Sequence, residues 1–482
     1  MKKIDSIIIV GGGTAGCISA LILKTRFPQK EIKIIESSTV GIVGVGESST
    51  EHWSHFCNFV GINQLDAVLH CNATFKIGVY FEGWGNEDYM HNISYPMFNL
   101  FNNYPINAAH VIANRRPKKD LQSKLTWENK VSLSNFNNLN DSPTNQYHFD
   151  TFALNKFLHD QCITRGIEII EDDLLGANLT EDGEIQSVYS ENWEHFADFF
   201  IDCSGFSRLL LHKTYNISWK SYSEYFPLNS AISFQTEEME EYNKYTKSTA
   251  RKNGWSWTIP TQTRTGNGYV YCDGFIGKDE AHREMEEAYG QELEVARSFK
   301  FDPGRLEKAW HKNCYAVGLS QSFVEPLEAT SIGSVILQMF CFMHFLPSYD
   351  VDSCNEHVND IFDNIVDNVQ AHYLVKREDT PFWKEVKYNL KLTPGLEYLL
   401  EKWKHRMPIS SDIHCPWSMF GPINYIPVLY GLDWFDIEKI KNEYENYNCY
   451  DTCENTINNL NANEQNGFIV GHKKLIKMIM NK

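Results

Sequence analysis

No long run of lysine or arginine occurs anywhere in this chain: 44 basic residues stand against 62 acidic ones, a formal net charge of −18. A face for nucleic acid or for an anionic membrane needs clustered positive charge, so neither is expected as a partner. Paired metal-binding cysteines are also missing. The 12 cysteines are scattered, and the closest two, Cys449 and Cys453, stand as C-x3-C with no second pair nearby. That spacing favours reduced thiols in the cytoplasm over zinc, and no resident metal is expected. Nor is any apolar run long enough to span a bilayer comfortably. The most apolar stretch, SIGSVILQMFCFMHFLP from Ser331 to Pro347, contains Gln338 and His344 and is expected as a buried helix. The opening MKKIDSIIIVGGGTAG puts two lysines before an apolar run, but Asp5 breaks the run and the glycines belong to a turn, so no targeting role is expected. Internal repeats are absent too.

What is present is apolar and aromatic. Of 482 residues, 42% are hydrophobic and 13% aromatic, enough for a large core with a ring-lined interior. Ile4 to Val10 reads as a strand, Ala15 to Phe27 as a helix and EIKIIES as a second strand, a βαβ unit. Strand-like runs recur at FADFFIDCSGFS and CYAVGLS, so the nucleotide-binding part is discontinuous. Aromatic strands such as ATFKIGVYFEGW, GWSWTIP and NGYVYCDGFIG lie between its pieces. The fold class expected is α/β with α+β elements: a discontinuous Rossmann-type nucleotide-binding domain with an inserted sheet over residues 1–340, then a mainly helical substrate-binding region over 341–482.

Gly11-Gly12-Gly13-Thr14-Ala15-Gly16 satisfies G-x-G-x-x-G in its required setting, after a strand and at the start of a helix. Gly11 permits the tight turn, Gly13 admits a pyrophosphate and Gly16 allows close helix-to-strand packing, while the helix amides receive the anion. Glu36 ends the second strand where a ribose-binding acid belongs. The motif does not separate NAD from FAD. Its position and the later IDCSGFSR segment favour FAD.

Three further features could carry chemistry. Lys76 lies among apolar and aromatic residues in NATFKIGVYF, where a buried amine needs a polar neighbour or loses its charge; a snorkelling surface lysine is the other reading. In VEPLEATSIG, Glu325 and Glu328 flank Pro326-Leu327, and the amides of Thr330 and Ser331 open an apolar helix as a potential anion site. On spacing alone, the plainer reading there is a helix capped by Thr330 or Ser331. Trp255 and Trp257 alternate on one strand face and either pack a core or wall off a site.

Together these segments resemble the tryptophan halogenase family of flavin-dependent halogenases. GGGTAG at Gly11, FKIGVYF at Phe75, GWSWTIP at Gly254 and FVEPLEATSI at Phe323 carry the likeness, supported by VGES at Val45, YHFD at Tyr147 and DCSGF at Asp202. It spans roughly residues 5 to 340 in order, and GWSWTIP matches the W-x-W-x-I-P signature. The resemblance implies an enzyme that uses FADH2, oxygen and halide to make hypohalous acid beside the flavin. Lys76 then holds the hypohalous acid or carries its halogen as a haloamine, and Glu328 polarises the oxidant and accepts the ring proton. By the same matching, Thr330 and Ser331 fall at the halide. Gly11, Gly13, Thr14, Ala15, Gly16, Glu36, Ser48, Leu174, Leu319 and Ile332 fall at FAD. Trp255 and Trp257 keep the organic substrate away from the flavin, and Phe98 and Tyr425 fall at the substrate. A separate NAD(P)H-dependent flavin reductase is implied as a partner, a small aromatic molecule as substrate, and a homodimer is left open.

Departures from the family pattern shape the expectation. Ala329-Thr330-Ser331 replaces the common Ser-Thr-Gly after the glutamate, which leaves bromide or iodide open as the preferred halide. In INYIPVLYGL, Ile426 follows Tyr425 where members acting on free tryptophan often have a second tyrosine. At Tyr95-Pro96-Met97-Phe98 only Phe98 of the His-x-Phe ring clamp remains. An indole or phenol acceptor is therefore expected rather than free tryptophan. The competing readings are a flavin monooxygenase acting directly on an aromatic substrate and a flavin-binding scaffold without activity.

Overall fold

The computed structural model describes residues 3–42, 47–92, 99–100, 104–105, 125, 128–133, 142–447, 451, 455, 458 and 468–481. The run Ser6–Val10 lies at the middle of a six-stranded sheet because it is apolar on both faces, with Ile7, Ile8, Ile9 and Val10 all buried. Strands covered on both sides read as continuous apolar runs rather than alternating ones. The order across this sheet is Glu168–Glu171, Glu31–Glu36, Ser6–Val10, Phe199–Asp202, Cys314–Ala316 and Trp310–His311. Its first five strands are parallel and the last is antiparallel. The Thr14–Arg26 helix packs against the helices Thr151–Thr164 and Thr330–Phe345. This is the Rossmann-type, discontinuous nucleotide fold expected from the sequence.

A seven-stranded sheet forms the second layer, in the order Val295–Lys300, Ser230–Thr236, Thr265–Tyr271, Gly254–Pro260, Tyr245–Arg251, Gly78–Glu82 and Tyr89–Asn92. A third, three-stranded sheet places Gln146–Phe149 between Glu47–Ser48 and Thr74–Lys76. The segment ATFKIGVYFEGW is therefore not one strand. Thr74–Lys76 belongs to the small sheet and Gly78–Glu82 to the large one, and the chain crosses at Ile77, whose N–H donates to the Lys244 carbonyl over 2.7 Å. Lys76 is thus the last residue before a change of sheet.

The apolar segment at Ser331 lies in the helix Thr330–Phe345, whose N-terminal two-thirds is almost wholly buried. The stretch Leu327–Ser348 is long and apolar enough to cross a membrane, yet 67% of its most apolar window is buried inside the protein, as a core helix would be. A boundary at residue 340 falls inside this helix, and one apolar core runs from Ile4 to Ile479. Beyond it come mainly helices. Two of them start with proline after a threonine cap: Thr380 Oγ1 accepts from the Trp383 N–H and Thr393 Oγ1 from the Leu396 N–H. Threonine caps and first-turn prolines both favour helix initiation. The chain then returns: Phe468–Gly471 pairs with Lys130–Leu133, and the His472–Met480 helix follows. His472 Nε2 accepts from the Phe75 N–H over 3.0 Å, and its Nδ1 lies 2.9 Å from the Tyr242 carbonyl. Burial pulls this imidazole down to about 3, so it is neutral and pins the lysine strand from behind.

Candidate active site

Sterics explain the glycine turn atom by atom. Gly11 has φ +113, and a Cβ there would lie 2.2 Å from the Cys203 carbonyl oxygen; at Gly16 it would lie 1.9 Å from the Gly11 oxygen. Gly13 differs, with no atom within 4 Å of its Cβ position. It precedes the Thr14–Arg26 helix without a side-chain cap, and among the described residues the buried Thr14 Oγ1 has no partner. An open cradle, uncapped helix amides and an orphaned hydroxyl fit a dinucleotide pyrophosphate. Ala15 and Gly16 continue that first turn. Glu36 lies over Gly12, whose Cβ position is 2.0 Å from Glu36 Oε2, and the same carboxylate oxygen is 3.3 Å from His159 Nε2. Asn155 and His159 hold the Gly12 carbonyl at 2.9 and 2.7 Å, a support absent from the glycine motif itself. Leu174 packs against the separate apolar cluster around Ile8, Val10 and Ile35.

A cavity of about 180 Å³ lies between the two layers, and Ser48, Trp255, Trp257, Leu319, Glu325, Glu328, Thr330 and Ser331 all line it. The two tryptophans are buried, with ring centroids 6.1 Å apart. Trp257 fits only because residue 268 is glycine: a Cβ there would lie 2.1 Å from the indole. Opposite them the Thr330–Phe345 helix begins after two left-handed residues in succession, Glu328 at φ 65 and Ala329 at φ 56. Such conformations cost on the order of 1–3 kcal/mol each away from glycine and persist where the surroundings enforce them. Ala329 holds the N-cap place, with no side-chain bond to the first turn. Thr330 and Ser331 are therefore first-turn residues at the cavity wall, not the caps that their spacing alone favours. Ile332 is buried in the main core behind them.

Lys76 is buried rather than snorkelling. Its Nζ donates to Ser48 Oγ over 3.1 Å and to the Ser49 carbonyl over 2.9 Å, so it meets the cavity at Ser48. Burial pulls the amine down to about 8, against the anions of Glu328 and Glu51, which hold it up. At neutral pH it is mostly an ammonium, with two of three N–H groups engaged.

Glu328 has two imidazoles beside it, which the sequence does not announce. His91 Nδ1 lies 2.7 Å from Glu328 Oε1 without the alignment of a hydrogen bond, and His372 Nε2 lies 3.0 Å from the same oxygen. Burial alone would raise this carboxyl. The two histidines outweigh it and hold the group well below the usual carboxylate range. Two histidines and a carboxylate within 4.8 Å are also a ligand set in principle. Against that use, the outer nitrogen of His91 lies 3.5 Å from the Asn424 amide nitrogen, and Asn424 is oriented by its oxygen accepting from the Gly421 N–H. The inward nitrogen of His91 then carries the proton, which suits a neighbouring anion and not a cation.

The second carboxylate behaves oppositely. Burial pushes Glu325 up to about 8, although Tyr373 Oη donates to its oxygens at 2.8 and 2.9 Å. The cavity thus holds one carboxyl kept ionised and one kept protonated at neutral pH, three residues apart. Tyr425 is buried in the core with its ring 5.0 Å from Trp403 and, among the described residues, no partner for its hydroxyl, and it does not line the cavity. Phe98 and the Cys449–Cys453 pair lie outside the described residues. The ten described cysteines are all free. Local sequence could not reveal His91 and His372, since they reach Glu328 from a strand and from a helix end far away along the chain.

The tryptophan halogenase family profile matches residues 6–439. The 7-chloro-L-tryptophan 6-halogenase of Kutzneria sp. (strain 744) is 31% identical over 463 residues, covering 88% of this chain and 90% of that protein. Among solved structures, the tryptophan halogenase of Shewanella frigidimarina NCIMB 400 superposes with a TM-score of 0.89 at 25% identity, covering 100% of this chain and 98% of that one. The tryptophan C-6 flavin-dependent halogenase (chlorinase) from taromycin biosynthesis gives 0.87 at 26% identity, over 99% and 100% of the two chains.

Proposed function

The chain belongs to the tryptophan halogenase family and is a flavin-dependent halogenase using FAD and halide; we propose that it halogenates an indole- or phenol-type acceptor through Lys76. One observation carries this reading. The buried Lys76 amine donates to Ser48, and Ser48 lines the cavity that also holds Glu328 and the uncapped helix start at Thr330 and Ser331.

FAD, bound as FADH2, supplies with oxygen the oxidising equivalent that converts halide to hypohalous acid, and a separate NAD(P)H-dependent reductase replenishes it. Gly11, Gly13, Thr14, Ala15 and Gly16 hold its pyrophosphate and Glu36 its ribose, while Ser48, Leu174, Leu319 and Ile332 complete the flavin site. The amides of Thr330 and Ser331 hold the halide at the positive end of a helix. Trp255 and Trp257 exclude the organic acceptor by filling volume. Lys76, as an ammonium, donates its remaining N–H to the oxygen of hypohalous acid and fixes the halogen against one ring carbon. Glu328 takes the proton that the ring then loses. A halogenated cyclohexadienyl cation is strongly acidic, so a carboxylate held below its usual range remains basic enough.

The residues 341–482 complete the acceptor site, with Phe98 as a contact, while Tyr425, packed on Trp403 in the core, supports it from behind. The replacement of Ser-Thr-Gly by Ala329-Thr330-Ser331, and of the second tyrosine by Ile426, favours bromide or iodide and an acceptor other than free tryptophan. The test supplies the purified chain with FADH2 from a generic reductase, an indole and phenol panel, and equimolar chloride, bromide and iodide. Halogen-specific mass shifts with bromide or iodide in excess are expected. Oxygenated products without halogen would contradict the proposal, and a clear chloride preference would reject its halide part.

A further inference from the structure

Gln146 lies directly across the sheet from Lys76, in the strand between those of Lys76 and Ser48. Residues directly opposite in an antiparallel pair project to the same face, with Cβ atoms roughly 4.5–5.5 Å apart. The face itself is confirmed by bonds. Thr74, two residues before Lys76, lies 3.1 Å from His148 Nδ1, and Lys76 Nζ reaches over to Ser48 on the far strand. His148 Nε2 continues to Thr246 Oγ1 at 3.0 Å, and Thr246 lines the cavity. This face is polar, fully buried and otherwise well partnered.

Gln146 is the exception. Its side chain is wholly buried, and among the described residues neither its amide nitrogen nor its amide oxygen has a hydrogen-bond partner. A buried carboxamide with two donors and two acceptor lone pairs unmatched by any protein group is costly and uncommon, and it points to a ligand that supplies the missing bonds. The nearest chemistry is that of the lysine it faces.

We propose that Gln146 is a positioning residue for the hypohalous acid held at Lys76. This inference rests on the lysine reading above. The carboxamide oxygen accepts the O–H of hypohalous acid and its N–H joins Lys76 in donating to the same oxygen. During transfer the halogen–oxygen bond breaks, the carbon–halogen bond forms, and the oxygen keeps the electron pair. Lys76 gives that oxygen a proton to make water, and Glu328 receives the ring proton, so the charges balance. Gln146 transfers no proton; it stabilises the negative charge that develops on the departing oxygen and keeps the acid from diffusing away.

The experiment compares the wild-type chain, Gln146→Met and Lys76→Met with reductase-supplied FADH2, bromide and indole. A β-diketone added to the solution traps escaping hypobromous acid. For Gln146→Met, bromoindole formation at saturating indole falls at least tenfold, KM for indole stays within twofold, trapped bromine rises to match, and the melting temperature is unchanged or higher. Product formation within twofold of wild type overturns the inference. So does a tenfold rise in KM without escape, which would place Gln146 on the indole instead, and so does a lowered melting temperature, which would reveal a structural partner. If Lys76→Met also keeps its bromoindole, the lysine reading itself fails; if only Gln146→Met keeps it, this inference fails alone.

Discussion

His372 Nε2 lies 3.0 Å from Glu328 Oε1 while His372 Nδ1 lies 3.0 Å from the Asn368 carbonyl oxygen. Each nitrogen of this imidazole thus meets an oxygen, which fixes the ring against the carboxylate. With His91 on its other side, the glutamate at the cavity is held between two imidazoles, which together keep its carboxyl well below the usual carboxylate range.

Removing His372 takes away one of the two imidazoles that oppose the effect of burial on Glu328. In His372→Gln the Glu328 carboxyl rises, with His91 still holding it down, and the acidic limb of the kcat profile moves to higher pH than in the wild type. The sign follows from linkage: a depressed carboxyl contributes stability above its unfolded value and loses it only as pH falls through the folded one. Breaking a buried pair also costs about 3–5 kcal/mol, read from urea unfolding. An unchanged pH profile would show that His372 does not govern Glu328.

Lys76 sets a different window. Its amine stands at about 8 in the folded chain against 10.5 unfolded, so its burial opposes folding below pH 8 and ceases to do so as pH rises toward 10.5. Lys76→Met is expected to be inactive yet more stable at pH 7, by up to about 3 kcal/mol at 1.36 kcal/mol per pH unit. Wild-type turnover falls above pH 8 as the ammonium loses its proton. Turnover that instead rises there would identify the neutral amine, and hence a haloamine, as the working form.

Glu325 contributes the opposite slope. Raised to about 8, it holds a proton in the folded chain that the unfolded chain releases near pH 4.5, so its contribution to stability falls as pH rises between those values. Glu325→Gln imitates the protonated acid and keeps the Tyr373 contact. Urea unfolding at pH 5.5 and 7.5 should show a smaller loss for the variant than for the wild type; equal losses would mean that Glu325 is ionised throughout.

The tryptophan wall depends on the residue beneath it. Gly268→Ala places a methyl against the Trp257 indole and the Ile232 carbonyl, and overpacking of this kind costs about 1–3 kcal/mol. The ring moves toward the cavity. A lower melting temperature with poorer coupling of FADH2 oxidation to product is expected, and an unaltered melting temperature would show that the ring has room.

The glycine turn was legible because each of its close approaches involves a few neighbouring residues and the strand–turn–helix order is local. Alternation in one strand placed Trp255 and Trp257 on a common face, but not their burial, since the strand is covered on both faces and Ser256 between them is buried too. Lys76 was recognised, but its sheet was not: the apolar run continues across Ile77, and nothing in side-chain periodicity marks a change of hydrogen-bonding partner. The state of Glu328 was hidden for a stronger reason. It depends on His91 and His372, ordinary isolated histidines in sequence that meet the carboxylate only when the second sheet and the Val351–Ala371 helix close on the cavity. Gln146 was equally silent, because an orphaned carboxamide is defined by what fails to approach it.

The central claim is that halogen reaches the acceptor through Lys76. The most direct measurement is mass spectrometry of the products of wild type and Lys76→Ala, each supplied with FADH2, bromide and indole, alongside FAD binding to both. Brominated indole from the wild type only, with FAD bound equally by both proteins, is the result predicted. Bromoindole from Lys76→Ala at a rate close to wild type would contradict it.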